Sequence, residues 1–387
     1  MVIRRKELAF MSMIRLWLLY GNHDAVKTVP SERLGKGNLS KPKAWFIIMK
    51  KLTSILLIIV MVFSLAACGS SEPDNDSTDV GATSYPITIT DHADRTVTIE
   101  EQPERLVSGY YISTSALIAL DLDENLVGIE AKADKRAIYR LSAPALIDLP
   151  NVGTAKEFDL EGCAALEPDL VILPLKLQNA AEQLEALGID VLLVNPENQE
   201  LLESMIRMIA SAANRQEKAE QLLRFADTQE AHLADVLKGV STPKVYLAGN
   251  SSMLSTAGSV MYQSDMIRIA GGMNAAAEIT DNYWVEISYE QLLAWDPDYI
   301  ILASDAAYTV DDVLADPNLA GCTAVKNQNV YQMPSKAEAW DSPVPSGILG
   351  ALWLANILHG DVFSASECNA LIDDYYETFY NFKYSET

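Results

Sequence analysis

Two kinds of apolar pattern alternate along this chain. Short, nearly continuous runs predict buried strands: RLVSGYY (105–111), LVGIEA (126–131), DLVILP (169–174) and IDVLLV (189–194), then KVYLAG (244–249), DYIILAS (298–304) and NVYQMP (329–334). Between them lie stretches with helical character: TSALIALDL (114–122), LEGCAALEP (160–168), QNAAEQLEALG (178–188), SDMIRIAGG (264–272), SYEQLLAWDP (288–297), SGILGALWLANIL (346–358) and SECNALIDDYYETFYNF (366–382). Gly188 and Gly271–Gly272 stand where a helix C-cap takes a left-handed residue. Strands alternating with helices predict parallel α/β layers.

From about 199 to 239 apolar residues recur at helical spacing (Leu202, Met205, Ile206, Ile209, then Ala219, Leu222, Leu223, Ala226), and Pro243 follows. A long helical region therefore separates two α/β series. The series echo each other. DLEGCAALEPDLVILP (159–174) parallels SYEQLLAWDPDYIILA (288–303), each a Glu-headed short helix, then Pro-Asp, then a buried strand. A weak internal repeat of this kind predicts two similar lobes.

One apolar stretch belongs to neither lobe. MKKLTSILLIIVMVFSLAAC (49–68) has a basic start at Lys50 and Lys51, an apolar run from Leu52 to Leu65, and Ala66-Ala67 before Cys68. This is the pattern of a secretory signal and its cleavage site. A spanning helix is the alternative, but the run is short of the ~20 residues a bilayer requires, and a polar tract follows. Leu65-Ala66-Ala67-Cys68 resembles a bacterial lipobox, which implies that Cys68 becomes the mature N-terminus and carries lipid. Residues 1–48 then read as an over-extended gene model ahead of Met49, with a cytoplasmic extension as the alternative. Residues 68–85 read as the lipidated Cys and a polar tether. A single acyl chain anchors only marginally, so stable attachment needs more than one.

Charge narrows the function. The chain is formally −24; residues 1–67 hold 11 of its 29 Lys and Arg and 3 of its 53 Asp and Glu, leaving 18 cations against 50 carboxylates, or −32, after cleavage. So acidic a surface argues against nucleic acid and against charge-driven binding to anionic membranes. Cys163, Cys322 and Cys368 form no CxxC pair and predict buried free thiols. His92, His232 and His359 have no ligand spacing, so no direct metal site and no resident cofactor is expected. Walker A, GxSxG and HExxH motifs are absent, so the sequence reads as a non-enzyme.

The ordered motifs ERLVS, LVGI, NVGTAKEFDLEGCAALEPDLVI, LEALGIDVLLV, MIRIAGGMNAAAE, WVEISYEQLLAWDPDYIIL and EAWDSPVPS resemble the class III substrate-binding lipoproteins of ABC importers, the group serving ferric siderophores, haem and cobalamin. The resemblance covers nearly all of 86–380. It implies two Rossmann-like α/β lobes, here 86–213 and 243–387, joined by one long rigid helix in 214–242, with ligand in the cleft between lobes. Such a linkage predicts little closure. The resemblance also implies an extracytoplasmic, lipid-anchored monomer that serves a permease and ATPase on separate chains. It assigns permease docking to Glu161 (in DLE) and Glu290 (in SYE). The plainer alternative for each is a first-turn carboxylate stabilised by its helix dipole.

Lys132, Lys135, Arg136 and Arg140 gather in AKADKRAIYR (131–140), directly after the strand LVGI. The resemblance places that loop on the cleft of the first lobe. Lys156 and Lys176 follow as further rim cations at strand-to-helix junctions, and Lys336 is their equivalent in the second lobe. Cations converging on a low-dielectric cleft draw in anions; surface pairing with the abundant carboxylates is the alternative. Tyr110, Tyr111, Tyr283, Trp284 and Trp340 are the candidate aromatic walls, whereas Trp295 and Trp353 sit inside helices and predict core packing. Asp341 is expected to cap the helix near Pro345 or to pair with the basic wall. The expected ligand is an anionic iron chelate such as a ferric siderophore. Corrinoid and haem are the alternatives: Lys132, Lys135 and Ala155 replace positions that are aromatic in cobalamin binders, and no His axial ligand for haem emerges. An enzyme acting on the chelate is the remaining, weaker alternative.

Overall fold

The computed structural model describes residues 83–280 and 284–387. The expected leader, Cys68, most of the tether and Tyr283 lie outside the described residues.

A hairpin opens the fold: β1 (Ile87–Thr90) pairs antiparallel with β2 (Thr96–Ile99). Four parallel strands follow, β3 (Leu106–Ser108), β4 (Leu126–Ile129), β5 (Leu170–Pro174) and β6 (Asp190–Val194), in the order β4-β3-β5-β6. Every residue of β5 is buried, as expected of a strand covered on both faces. Helices α1 (Tyr111–Ala119), α2 (Ala137–Ser142), α3 (Leu160–Ala165) and α4 (Gln178–Glu185) provide the crossovers.

The second lobe has a mixed sheet. Strand β7 (Lys244–Ala248) lies between β8 (Ser255–Thr256) and β11 (Tyr299–Leu302); β12 (Val330–Gln332) flanks β11, β10 (Val285–Glu286) flanks β8, and β9 (Met273–Asn274) also pairs with β7. Its helices include α7 (Tyr262–Ile269), α8 (Tyr289–Trp295), α9 (Val310–Leu314), α10 (Thr323–Lys326), α11 (Ile348–His359) and α12 (Ala365–Tyr380) in chain order.

The sequence repeat has a physical cause. Asp169 Oδ2 accepts from the Glu104 and Arg105 amides at 2.9 Å, while the Asp169 amide donates to Arg105 O at 2.9 Å. In the second lobe Asp298 Oδ2 accepts from the Lys244 amide at 2.8 Å, and the Asp298 amide donates to Lys244 O at 2.8 Å. Each Pro-Asp thus ties the entry of its own strand to the start of the neighbouring one.

The helical region from about 199 to 239 comprises two helices, α5 (Gln199–Ala213) and α6 (Gln216–Val236). Asn214 is left-handed at φ 56° and caps α5. Asn tolerates that conformation better than most residues. Helix α6 alone carries the chain from the first lobe to β7. Side chains of α1, α5, α6, α7, α11 and α12, among them Leu117, Met205, Leu222, Met266, Leu352 and Tyr376, share one apolar core. That shared core opposes hinge motion.

The hairpin is locked to β6 by a buried ion pair. Asp91 Oδ2 accepts from the Leu193 amide at 3.0 Å and from Arg95 Nη2 at 2.6 Å, and its side chain has no exposure. Burial pushes this carboxyl up, but Arg95 and three backbone amides outweigh it, and the net direction is down. Stability from this group is therefore present above the unfolded-state value and disappears as pH falls through the lower folded one. Asp91→Ala removes the acceptor of three backbone amides and one of the two carboxylates that Arg95 meets, Glu185 remaining at 2.8 Å, and is expected to cost about 3 kcal/mol. A denaturant melt at neutral pH checks this, and the gap to wild type should shrink in acid.

Candidate functional site

The carboxyl ends of the strands face one cleft, as in open α/β sheets generally. Strand β3 stops at Ser108, and Tyr110 and Tyr111 do not prolong it: Tyr110 is the N-cap of α1 and Tyr111 its first residue. Their rings meet edge-on at 5.3 Å. Lys176 follows β5, Glu197 follows β6, and Asn250 follows β7. With Gln263, Trp284 and Ser342 these residues line a cavity of about 300 Å³. Across its wall the Tyr262 amide donates to Glu197 O at 3.1 Å. Trp284 is 38% exposed. A Cβ on Gly249 would stand 2.9 Å from its ring, so that glycine lets the indole approach the end of β7 closely.

A second, smaller cavity of about 90 Å³ adjoins it, lined by Tyr111, Lys135, Arg136, Tyr139, Asp305 and Glu338 among others. The Arg136 guanidinium lies 4.0 Å from the centre of the Tyr111 ring, a favourable cation–π distance. Three carboxylates are buried nearby. Glu130 accepts from Thr114 Oγ1 at 2.7 Å and from the Tyr139 hydroxyl at 2.6 Å, and Ser346 donates to Glu338. Burial pushes the Glu130, Glu338 and Asp341 carboxyls up. Burial likewise raises the Tyr110 phenol, so it is a neutral hydroxyl at physiological pH.

The candidate cations divide. Lys176 reaches the main cavity, and Lys135 and Arg136 reach the smaller one. Lys135 is exposed and pairs with Asp134 at 2.9 Å. Lys132 stands exposed at left-handed φ 70°, and Lys156 is exposed on the 154–157 turn. Neither lines either cavity. Lys336 turns to the C-terminal segment, with its Nζ 5.3 Å from the Tyr384 ring centre and 3.4 Å from Tyr384 O, so it does not serve the cleft.

Trp340 also departs from expectation. It is 1% exposed and donates its indole N–H to the Tyr376 hydroxyl at 2.8 Å, so it is core and not wall. Asp341 neither caps a helix nor meets a cation; it accepts from Ser304 Oγ at 2.6 Å and from the Ser304 amide at 3.1 Å. Glu197, Asn250, Gln263 and Ser342 were not expected in the cleft. Glu197 and Asn250 follow strand ends, so the rule that located Lys176 also reaches them. Gln263 fell just before the predicted start of α7 at 264.

Glu161 and Glu290 are exposed in the first turns of α3 and α8. Each helix is capped alike: Asp159 Oδ1 accepts from the Gly162 amide at 2.9 Å, and Ser288 Oγ from the Gln291 amide at 3.2 Å. Among the described residues neither glutamate makes a salt bridge. Cys163, Cys322 and Cys368 are free and buried, and burial pushes the Cys163 thiol up to about 12. Among the described residues no group of acidic, His or Cys side chains could hold a metal, and no helix is long and apolar enough to cross a membrane.

Two α/β lobes, a connecting helix and a cleft at the strand ends define a two-lobed solute receptor. The chain belongs to the periplasmic binding protein family, whose profile matches residues 106–337. It is 28% identical over 323 residues to the molybdate-binding protein MolA of Haemophilus influenzae, covering 76% of this chain and 91% of that one. The solved structure of molybdate-bound MolA superposes with a TM-score of 0.68 over 77% of this chain and 99% of that chain. Two Bacillus subtilis proteins are also similar: the ABC transporter substrate-binding lipoprotein YvrC, 26% identical over 80% of this chain and 96% of the relative, and the Fe(3+)-citrate-binding protein YfmC, 26% identical over 73% and 89%. The protein is thus an extracytoplasmic substrate-binding component of an ABC importer, a carrier of solute and not an enzyme.

Proposed function

We propose that the cargo is an anionic metal species held in the inter-lobe cleft, an iron chelate of ferric-carboxylate size. The observation that carries this reading is Lys176: it faces the Tyr110–Tyr111–Trp284 wall and, among the described residues, pairs with no carboxylate. An uncommitted ammonium on the rim of a cleft attracts an anion, and the aromatic faces suit the organic part of a chelate. A cleft of about 300 Å³ favours a compact chelate over a large siderophore, a haem or a corrinoid. The likeness to a Fe(3+)-citrate-binding protein agrees with it. A second reading, a bare oxyanion of the molybdate type, is favoured by the small cleft together with the likeness to MolA.

Tryptophan-fluorescence titration of the purified protein against ferric citrate, molybdate, sulfate, haem and cobalamin separates these. Quenching by ferric citrate supports the first reading and by molybdate the second; binding of cobalamin alone contradicts both. Lys176→Gln is expected to weaken the binding anion by ~10–100-fold, the loss of one charge-assisted contact of roughly 1.5–3 kcal/mol. Glu161 and Glu290 are proposed as the permease-docking carboxylates, and Cys68 as the lipid attachment. The likeness to a lipoprotein supports the latter.

A further inference from the structure

The two cavities between the lobes have a wall in common, and that wall is one side chain. Tyr111 lines the cleft of about 300 Å³ on one side and the chamber of about 90 Å³ on the other. Two contacts hold it there. Its ring is buttressed edge-on by Tyr110 at 5.3 Å. Its outer face carries the Arg136 guanidinium at 4.0 Å. Among the described residues Arg136 makes no salt bridge, so its charge rests against the ring from the chamber side.

We propose that Tyr111 is a partition that sets the size limit of the ligand, and that the space behind it is an extension of the binding cleft that the ring keeps apart. With the ring in place a ligand has the cleft alone and Lys176 as its cation. With the ring removed the space behind opens, and Arg136 and Lys135 become reachable from the cleft. A bulky anionic chelate therefore gains both volume and charge, whereas a small anion gains neither and loses an aromatic wall. The ring is the part that excludes, so removal of the hydroxyl alone leaves the partition in place.

This inference rests on the reading of the cleft as an anion site. The experiment is a fluorescence titration of wild-type protein and of Tyr111→Ala, Tyr111→Leu and Tyr111→Phe, each with molybdate, ferric citrate and the bulky chelate ferric enterobactin. The quantity read is the ratio of affinities, bulky over small. The expected result is a rise of at least ~10-fold in that ratio for the Ala variant, about 1.4 kcal/mol, a smaller rise for Leu, and none for Phe. The leucine variant keeps the test open should the alanine variant fold poorly, since a purely structural role would weaken all ligands together. The partition is wrong if wild type already takes ferric enterobactin as tightly as its small ligand, or if the Ala and Leu ratios stay at the wild-type value while the small anion still binds. Wild type that binds no anionic species at all would overturn the anion reading itself, an outcome distinct from those two.

Discussion

Reversing both proposed docking carboxylates, Glu161→Arg with Glu290→Arg, is expected to abolish import while ligand affinity stays near wild type. The two side chains stand in equivalent first turns, on helices capped in the same way and followed by the same Pro-Asp strand entry. Neither lines either cavity. Its own backbone amide and Ser288 hold the Glu290 carboxyl below its ordinary value, so it is ionised throughout the physiological range. Truncating one partner of a charge pair that becomes buried in a complex costs about 2–5 kcal/mol. Two reversals together should therefore drop uptake below roughly one-hundredth of wild type. Uptake of labelled ligand by cells, set beside a binding titration of the purified variant, reads both arms. Unchanged uptake would return the glutamates to the plainer role of helix-dipole partners.

Gly153→Ala is expected to be the most damaging single substitution on the rim of the first lobe. Gly153 adopts φ +86°, and an added Cβ would lie 2.1 Å from the Glu157 carbonyl oxygen and 3.1 Å from the Asp159 amide nitrogen. Both are backbone atoms, so no rotamer change relieves the clash. The same residue accepts from the Ala131 amide at 2.8 Å, and the turn beyond it closes through Thr154 and Glu157. It thus positions the loops that carry Lys132 to Arg136 and Lys156. Left-handed strain of about 1–2 kcal/mol and overpacking of about 1–3 kcal/mol add to roughly 3 kcal/mol. Gly188 is the control, because it has φ +85° with nothing within 4 Å of an added Cβ. Gly188→Ala should cost only ~1 kcal/mol. Denaturant midpoints of the two variants measure the difference; equal losses would mean that the 153–158 turn yields.

Much of this architecture is legible in the residues because each signal is local. A buried parallel strand needs an unbroken apolar run, and β5 and β6 have one. The Pro-Asp repeat is visible because the same reciprocal hydrogen bonds recur in both lobes. Tyr110, Tyr111, Lys176 and Trp284 lie on the cleft because strand ends determine where a cleft forms. What stays hidden depends on distant partners. Trp340 is core through Tyr376, Lys336 turns toward Tyr384, and Asp341 is engaged by Ser304, each 36 to 48 residues away. No periodicity in 335–347 reports such contacts.

The most direct test of an anionic metal species in the cleft is anomalous diffraction from crystals of the protein with ferric citrate or molybdate, at the iron or molybdenum edge. The account predicts one strong peak between Tyr110, Lys176 and Trp284. A peak among the exposed lysines of the 132–156 rim, or none at saturating ligand, would contradict it.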